Sequence, residues 1–306
     1  MHKALSMLAL SGALVCAPAR ADIDWSRVDA AIGREGAVIG TVHRYDLPRP
    51  DLQVALDGVT LAPGLAGAGW AAFLQVGPYA MMRGDLVVAQ SEAPRALETL
   101  VAKGVRVSGA HSHMLRARPA PAHLHVSGYG DPAEMAQALR DVARSKARDP
   151  DPPAPTSPEL APQELAQIEL ALGAKGRMAL GAWRFVIPRA EGVRASGVPA
   201  PPAMGIATAL NFQLLGDGRA AVAGEFAALP GEIAALIEAL QSGGVEVVAL
   251  CDHMPDDQPR LFFVHVWALD DAVQLAYALR RGLEVLGADA AFIPPAPAPA
   301  RARPAP

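Results

Sequence analysis

GVRVSGAHSHMLRARPAPAHLHV, Gly104–Val126, and GVEVVALCDHMPDDQPRLFFVHV, Gly244–Val266, are two versions of one segment. At an offset of 140 positions, Gly104-Val105 and Val107 fall on Gly244-Val245 and Val247, His113-Met114 on His253-Met254, Pro119 on Pro259, and His125-Val126 on His265-Val266. The same offset carries Gly33, Gly36, Arg44, Pro48 and Gly84 onto Gly173, Gly176, Arg184, Pro188 and Gly224. It also carries Ala138-Leu139-Arg140 onto Ala278-Leu279-Arg280. Register kept over most of a chain means an internal duplication, so the sequence is read as two tandem homologous units.

Each unit has the same internal order. A short helix (Trp25 to Ile32; Pro158 to Leu172) precedes alternating or apolar segments such as LQVALDGVTL, WAAFLQV and MMRGDLVVA, whose period marks strands. A helix from Glu92 to Lys103 follows, with Ala93, Leu97 and Leu100 on one stripe and Gly104 as its stop; its counterpart carries Ile233, Ile237 and Leu240. Two strands come next, Val105 to Met114 and Ala122 to Ser127, and then a last helix. That helix opens Asp131-Pro132-Ala133-Glu134, an N-cap, a first-turn proline and a reciprocal acid, a device kept as Asp271 and Gln274. Short connections imply hairpins. The expected class is α+β: two units, each an antiparallel sheet with helices packed on one face.

The ends read differently from the units. Residues 1–21 have a charged start at Lys3, an apolar run from Ala4 to Val15 and the small-x-small site Ala19-Arg20-Ala21, the pattern of a cleaved signal peptide. Lipid anchoring at Cys16 is the competing reading, against which Ala13-Leu14-Val15 is a poor match. The expected location is periplasmic or secreted. The first unit is assigned to 22–143, a Pro-rich linker to 144–162, the second unit to 163–288, and a disordered Pro/Ala tail to 289–306. No later segment offers the roughly 20 consecutive apolar residues of a membrane span. A net charge of −4 over 306 residues argues against a nucleic-acid partner. Loss of residues 1–21 leaves Cys251 as the only thiol, so no intrachain disulfide is expected.

The chemistry resides in the quoted segments. Side chains at i and i+2 of a strand share a face, so His111 and His113 point together, as do His123 and His125. A hairpin placing His113 opposite His123 and His111 opposite His125 would converge all four rings, whereas a one-residue slip would scatter them. In the second unit these positions are Cys251, His253, Phe263 and His265. Imidazole and thiolate favour zinc or copper over calcium or magnesium. His111, His113, His125, Cys251, His253 and His265 are therefore the candidate metal ligands, with His123, Asp85 and Glu225 as auxiliary groups. The alternative is structural: Val105 and Val107 share the parity of His111 and His113, so the histidines could border a core and merely satisfy hydrogen bonds. His43, whose counterpart is Trp183, reads as packing. The glycines of GREG and GAKG follow a helix, where they act as stops rather than as a phosphate cradle. Ser112, on the opposite strand face from its neighbouring histidines, forms no catalytic triad.

PRPDLQVALDGV, GWAAF, MRGDLVV and the H-x-H-M-L then P-x-x-x-H pattern resemble the mycobacterial LppY/LpqO lipoprotein family, over about Val28 to Leu286. The resemblance implies an exported, envelope-associated protein of no established biochemical activity. It carries over His111, His113 and His125 in the first unit and His253 and His265 in the second; His123 lies outside the pattern, and Cys251 stands where the family has histidine. Three functions fit: a binding protein for a transition metal or small polar ligand, a metal-assisted hydrolase using Asp85 or Glu225 for proton transfer, or a peptidoglycan-binding module with structural histidines. A chain that is only 5% aromatic gives the last few stacking platforms for glycans.

Overall fold

The computed structural model describes residues 22–143 and 161–287. The expected signal peptide, the linker up to position 160 and the tail lie outside the described residues. In the first unit, helix α1 (Trp25–Ile32) leads into strands β1 (Ala37–Ile39) and β2 (Val42–Pro48), then a small hairpin of β3 (Ala55–Leu56) and β4 (Val59–Thr60). After a single wide helical turn at Pro63–Gly67 come β5 (Ala68–Val76), β6 (Tyr79–Ala89), α2 (Ala93–Ala102), β7 (Arg106–His111), β8 (Pro121–Gly130) and α3 (Pro132–Ala143). The second unit repeats the order: α4 (Pro162–Leu172), β9 (Gly176–Ala179), β10 (Ala182–Ile187), β11 (Val193–Ala195), β12 (Val198–Ala200), β13 (Thr208–Gly216) and β14 (Arg219–Ala228). It closes with α5 (Ile233–Ser242), β15 (Glu246–Cys251), β16 (Asp257–Gln258), β17 (Phe262–Asp271) and α6 (Ala272–Val285).

Each unit builds a six-stranded antiparallel sheet, in the orders β1-β2-β5-β6-β8-β7 and β9-β10-β13-β14-β17-β15. Strand alternation sorts the side chains. Met82, Leu86, Val88, Leu124 and Val126 pack under α1–α3, and Val222, Phe226, Val264 and Val266 pack under α4–α6. The helices thus cover one face of each sheet, as expected, and their caps match the sequence signals. Asp131 accepts from the Ala133 amide at 2.8 Å, and Asp271 accepts from Val273 and Gln274 at 3.0 and 2.9 Å. Gly33 and Gly173 end α1 and α4 in the left-handed region, as helix stops do.

The opposite faces of the two sheets pack against each other, giving helix, sheet, sheet and helix layers. Each unit also lends an arm to this interface. Residues 52–67 of the first unit reach over the second, where Ala62 N donates to Gln213 Oε1 at 2.6 Å and Gln213 Nε2 to the Thr60 carbonyl at 2.9 Å. Val193, Ala195, Ala200 and Met204 of the second unit lie in one cluster with Val42, Ala72, Leu74 and Met81 of the first. Arg83 and Asp257 bridge the units through two hydrogen bonds of 2.7 and 2.9 Å, both side chains buried.

The duplication holds one local departure. Trp70 pairs with Asp85, but the residue paired with Glu225 is Ala209, so β5 and β13 match at 139 rather than 140 positions. A β-bulge between Leu214 and Gly216 absorbs the difference and restores the offset.

Candidate metal centre at the unit interface

The hairpin histidines converge, but not by the expected register. His111 lies opposite His123, and Gly109 opposite His125, two residues out of step with the pairing of His113 to His123. Strand β7 ends at His111, so His113 sits in the following turn. In the second unit, likewise, Cys251 lies opposite Phe263 and Ala249 opposite His265. A slip of two preserves the face, which is why the cluster survives it.

Parity is corrected by a second device. Register shifts between Val107 and Gly109, and between Val247 and Ala249, mark a bulge at Ser108 and at Val248. An extra residue in one strand reverses the alternation beyond it. Val107 and Val247 therefore pack toward the helices, while His111 and Cys251 face the space between the sheets. The shared parity of Val107 and His111 that favoured core histidines thus does not hold through the bulge.

Three imidazole nitrogens meet at His125. Its Nε2 is 3.2 Å from His111 Nε2 and 3.2 Å from His113 Nε2. In the second unit, His265 Nε2 is 3.2 Å from Cys251 Sγ and 3.4 Å from His253 Nε2. The two sets interleave: His113 stacks on His265, and His125 on His253, each at 3.8 Å between ring centroids. As a result the ligand atoms of His111, His113, His125, Cys251 and His253 all lie within 4.8 Å of one another, which is sufficient for this group to hold a metal ion. Hydrogen bonding alone serves such a convergence poorly, because a neutral ring nitrogen carries either one proton or one lone pair. A tetrahedral ion with nitrogen at about 2.0–2.1 Å would set its ligands about 3.3 Å apart, close to these contacts.

Carboxylates stand behind the rings. Asp85 Oδ2 is 2.9 Å from His123 Nδ1 and 4.0 Å from His113 Nδ1, and Asp85 Oδ1 is 3.9 Å from His125 Nδ1. Glu225 Oε2 lies 3.9 Å from His265 Nδ1 and 4.0 Å from His253 Nε2. Both acids, expected as auxiliary groups, are thus at the site, as is His123. Of these contacts only the one between Asp85 and His123 is a hydrogen bond, so the acids lie beside the ligand imidazoles without fixing their orientation. Phe263 stacks on His253 at 3.8 Å much as His123 stacks on His113 at 3.6 Å, so it retains the shape and removes the donor.

Burial sets the charge states. It pushes His111, His113, His253 and His265 below the ordinary imidazole value and His125 down to about 4, so their lone pairs are free at neutral pH. Burial also lifts the Cys251 thiol, so a cation would be needed to hold it as thiolate. The two acids diverge. Burial, reinforced by the charge of Asp85, raises Glu225 to about 8, whereas Asp85, which burial alone would raise, is held below its ordinary range by His123 and His125. A cavity of about 100 Å³ opens on Asp85, His113, His123, Glu225 and His265.

One family matches the chain twice, at residues 26–145 and 166–285, and it is described as Domain of Unknown Function (DUF1259). The chain belongs to this family. No curated protein matches it. Two solved structures align weakly. One is the crystal structure of a trimeric bacterial microcompartment shell protein, PduB, at 14% identity, covering 82% of this chain and 88% of that one, with a TM-score of 0.20. The other is EtuB from Clostridium kluyveri, at 10% identity, covering 82% and 91%, with a TM-score of 0.20. At these scores neither informs fold or function. Membership of the DUF1259 family fixes the two-repeat organisation, and no helix among the described residues is long and apolar enough to cross a membrane.

The remaining sequence candidates fall elsewhere. His43 stacks on Trp25 at 3.7 Å, as packing. Ser112 Oγ accepts from the Met114 amide at 3.3 Å and is not positioned as a nucleophile. Gly36 and Gly176 approach aromatic rings so closely that an added Cβ would lie 2.6 Å from Tyr45 and 2.7 Å from Phe185, which accounts for them without a phosphate. The sequence reading missed Arg83, Asp257, Arg44, Arg184 and Trp70, all at the unit interface. The retained arginine at 44 and 184 was the one signal available.

Proposed function

We propose that this DUF1259-family chain is an exported binding protein of the LppY/LpqO type, holding one zinc or copper ion between its two units. The convergence of five neutral N and S donors from both units within 4.8 Å carries this reading. The ion would draw its ligands from His111, His113, His125, Cys251 and His253, with His265, His123, Asp85 and Glu225 adjoining them. Residues 1–21 would direct export. The test is metal analysis of protein purified without an affinity tag, alongside a His111/His113/His125→Ala variant. The wild type should carry zinc or copper and the variant should not. Equal and negligible metal in both would remove the proposal.

A metal-assisted hydrolase is the second reading. It is favoured by the two acids beside the imidazoles and by the cavity that both of them line. An ion with three or four protein ligands and an open position toward this cavity could activate water, with the ionised Asp85 taking the proton and the protonated Glu225 able to deliver one. Esters, amides and phosphoesters assayed with the loaded protein would discriminate the two readings, because a pure binding protein turns over none of them.

A further inference from the structure

Arg44 and Arg184 occupy the same position in the two repeats, and the face-to-face packing of the units brings both to one cavity of about 210 Å³. Trp70, Arg177 and Glu225 also line it, with an apolar wall that includes Ile39, Val186 and Pro202. Trp70 and Arg184 are shared with a cavity of about 30 Å³ and with the 100 Å³ cavity beside His113 and His265, so the three adjoin.

These arginines are under-paired. Other buried arginines here meet carboxylates squarely: Arg49 with Glu92 at 2.9 Å, Arg189 with Glu232 at 2.9 Å, and Arg83 with Asp257 at 2.7 Å. Arg44 is buried yet has no ion pair among the described residues; it donates to the Ala203 carbonyl at 2.7 Å and lies 4.1 Å over the Trp70 ring. Arg184 approaches Asp46 only at 3.9 Å, and its buried Nε has no hydrogen-bond partner. Arg177 lies directly opposite Arg184 on the neighbouring strand, a like-charge placement that costs stability. Burial, reinforced by the charge of Arg184, pushes Arg44 down to about 9. Arg44, buried, and Arg184, largely so, therefore face the cavity with no carboxylate in hydrogen-bond contact among the described residues, and buried charge of this kind normally has a counterion.

We propose that Arg44 and Arg184 form a binding site for a small oxyanion, the carboxylate or phosphate group of a ligand whose remainder lies on the cavity's apolar wall. Planar guanidiniums from two sides suit two-point recognition of such a group. The site goes beyond the metal reading and is built from different residues, although Glu225 borders both.

The test is calorimetric titration of inorganic phosphate, and separately of acetate, into the full chain at low salt after chelator treatment. The wild type should bind at least one of them saturably, and Arg184→Gln and Arg44→Lys should each weaken it tenfold or more. Arg44→Lys keeps the charge and loses the fork, so equal weakening there excludes simple charge attraction. Preference for phosphate or for acetate identifies the oxyanion. If Arg184→Gln does not fold, the exposed Arg177→Gln serves, with a several-fold loss expected. No saturable binding of either anion, or unchanged affinity in the folded variants, overturns the site. Metal uptake measured on the same samples separates the outcomes: anion binding without metal refutes only the metal reading, and metal uptake without anion binding refutes only this one.

Discussion

Replacing Asp257 by alanine should be the most damaging single change at the unit interface outside the histidines. Asp257 and Arg83 are 2% and 3% exposed at the side chain and share two hydrogen bonds of 2.7 and 2.9 Å. Removing the acid leaves a guanidinium buried without a counter-charge, and its Nε already lacks a partner. Breaking such a pair from one side costs about 3–5 kcal/mol. The pair itself is not the source of that cost. Burial lifts Asp257 above its ordinary value in spite of Arg83, which means desolvation outweighs the attraction. An Arg83→Met/Asp257→Leu double variant should therefore recover most of the loss. Urea unfolding, followed by fluorescence with a common slope, measures all three proteins. The sign with pH also follows: a carboxyl with a raised folded value binds protons more readily when folded, so wild-type stability contributed by this group falls as pH rises through and above the normal carboxylate range. If Asp257→Ala costs under about 1 kcal/mol, the range of an exposed pair, the units do not exclude water there and the packed interface is wrong.

Metal removal should loosen the same interface: an ion bound only by the closed arrangement adds about 2.7 kcal/mol at a concentration 100 times its Kd, so chelator should lower the urea midpoint of wild type and leave that of His125→Ala unmoved. Cobalt loaded in place of zinc should give thiolate-to-metal absorption in the near ultraviolet, and Cys251→Ser should abolish it while keeping the visible bands; identical spectra would remove Cys251 from the ligands. Deletion of Ser108 should straighten the bulge while keeping Gly109 opposite His125 and His111 opposite His123, so metal content should be retained, whereas deletion of Ala110 should place His111 opposite Leu124, turn it toward the helices and sharply reduce metal content. Asp131→Ala and Asp271→Ala should each cost about 1 kcal/mol, as lost N-caps do, with metal content unchanged.

The repeat made much of this architecture legible. Matched glycines, prolines and capping acids located both units, and the caps at Asp131 and Asp271 formed as their spacing implied. The candidate ligands were legible for the same reason, since HxH spacing survives any even slip of register. The bulge at Ser108 was not legible. Nothing in VRVSGAH distinguishes a residue that continues alternation from one that interrupts it, because the bulge is decided by the partner strand. The face-to-face packing was also hidden. Its strongest elements, Arg83 with Asp257 and Gln213 with the arm at Thr60, join residues far apart in sequence that lack counterparts in the other repeat. Position 83 has Ala223 as its mate, and Asp257 has Ala117.

That asymmetry shapes the interface, where a five-residue candidate centre drawn from both units stands beside two smaller groups, Asp85 with His113 and His123 and Glu225 with His253 and His265. Identical repeats meeting across an axis would present matched sets of four imidazoles, each backed by an acid. Here the second set has Phe263 in place of a donor and Cys251 in place of another, while ring stacking and the 3.2 Å contact to the central histidine persist in both. Shape has been kept where the two halves must pack, and donor type has changed where it need not. The five donors that fall together come from both units, so neither hairpin alone holds the full set. Occupancy is then linked thermodynamically to docking of the units: whatever favours the closed interface favours the ion, and by the same amount the ion favours the interface.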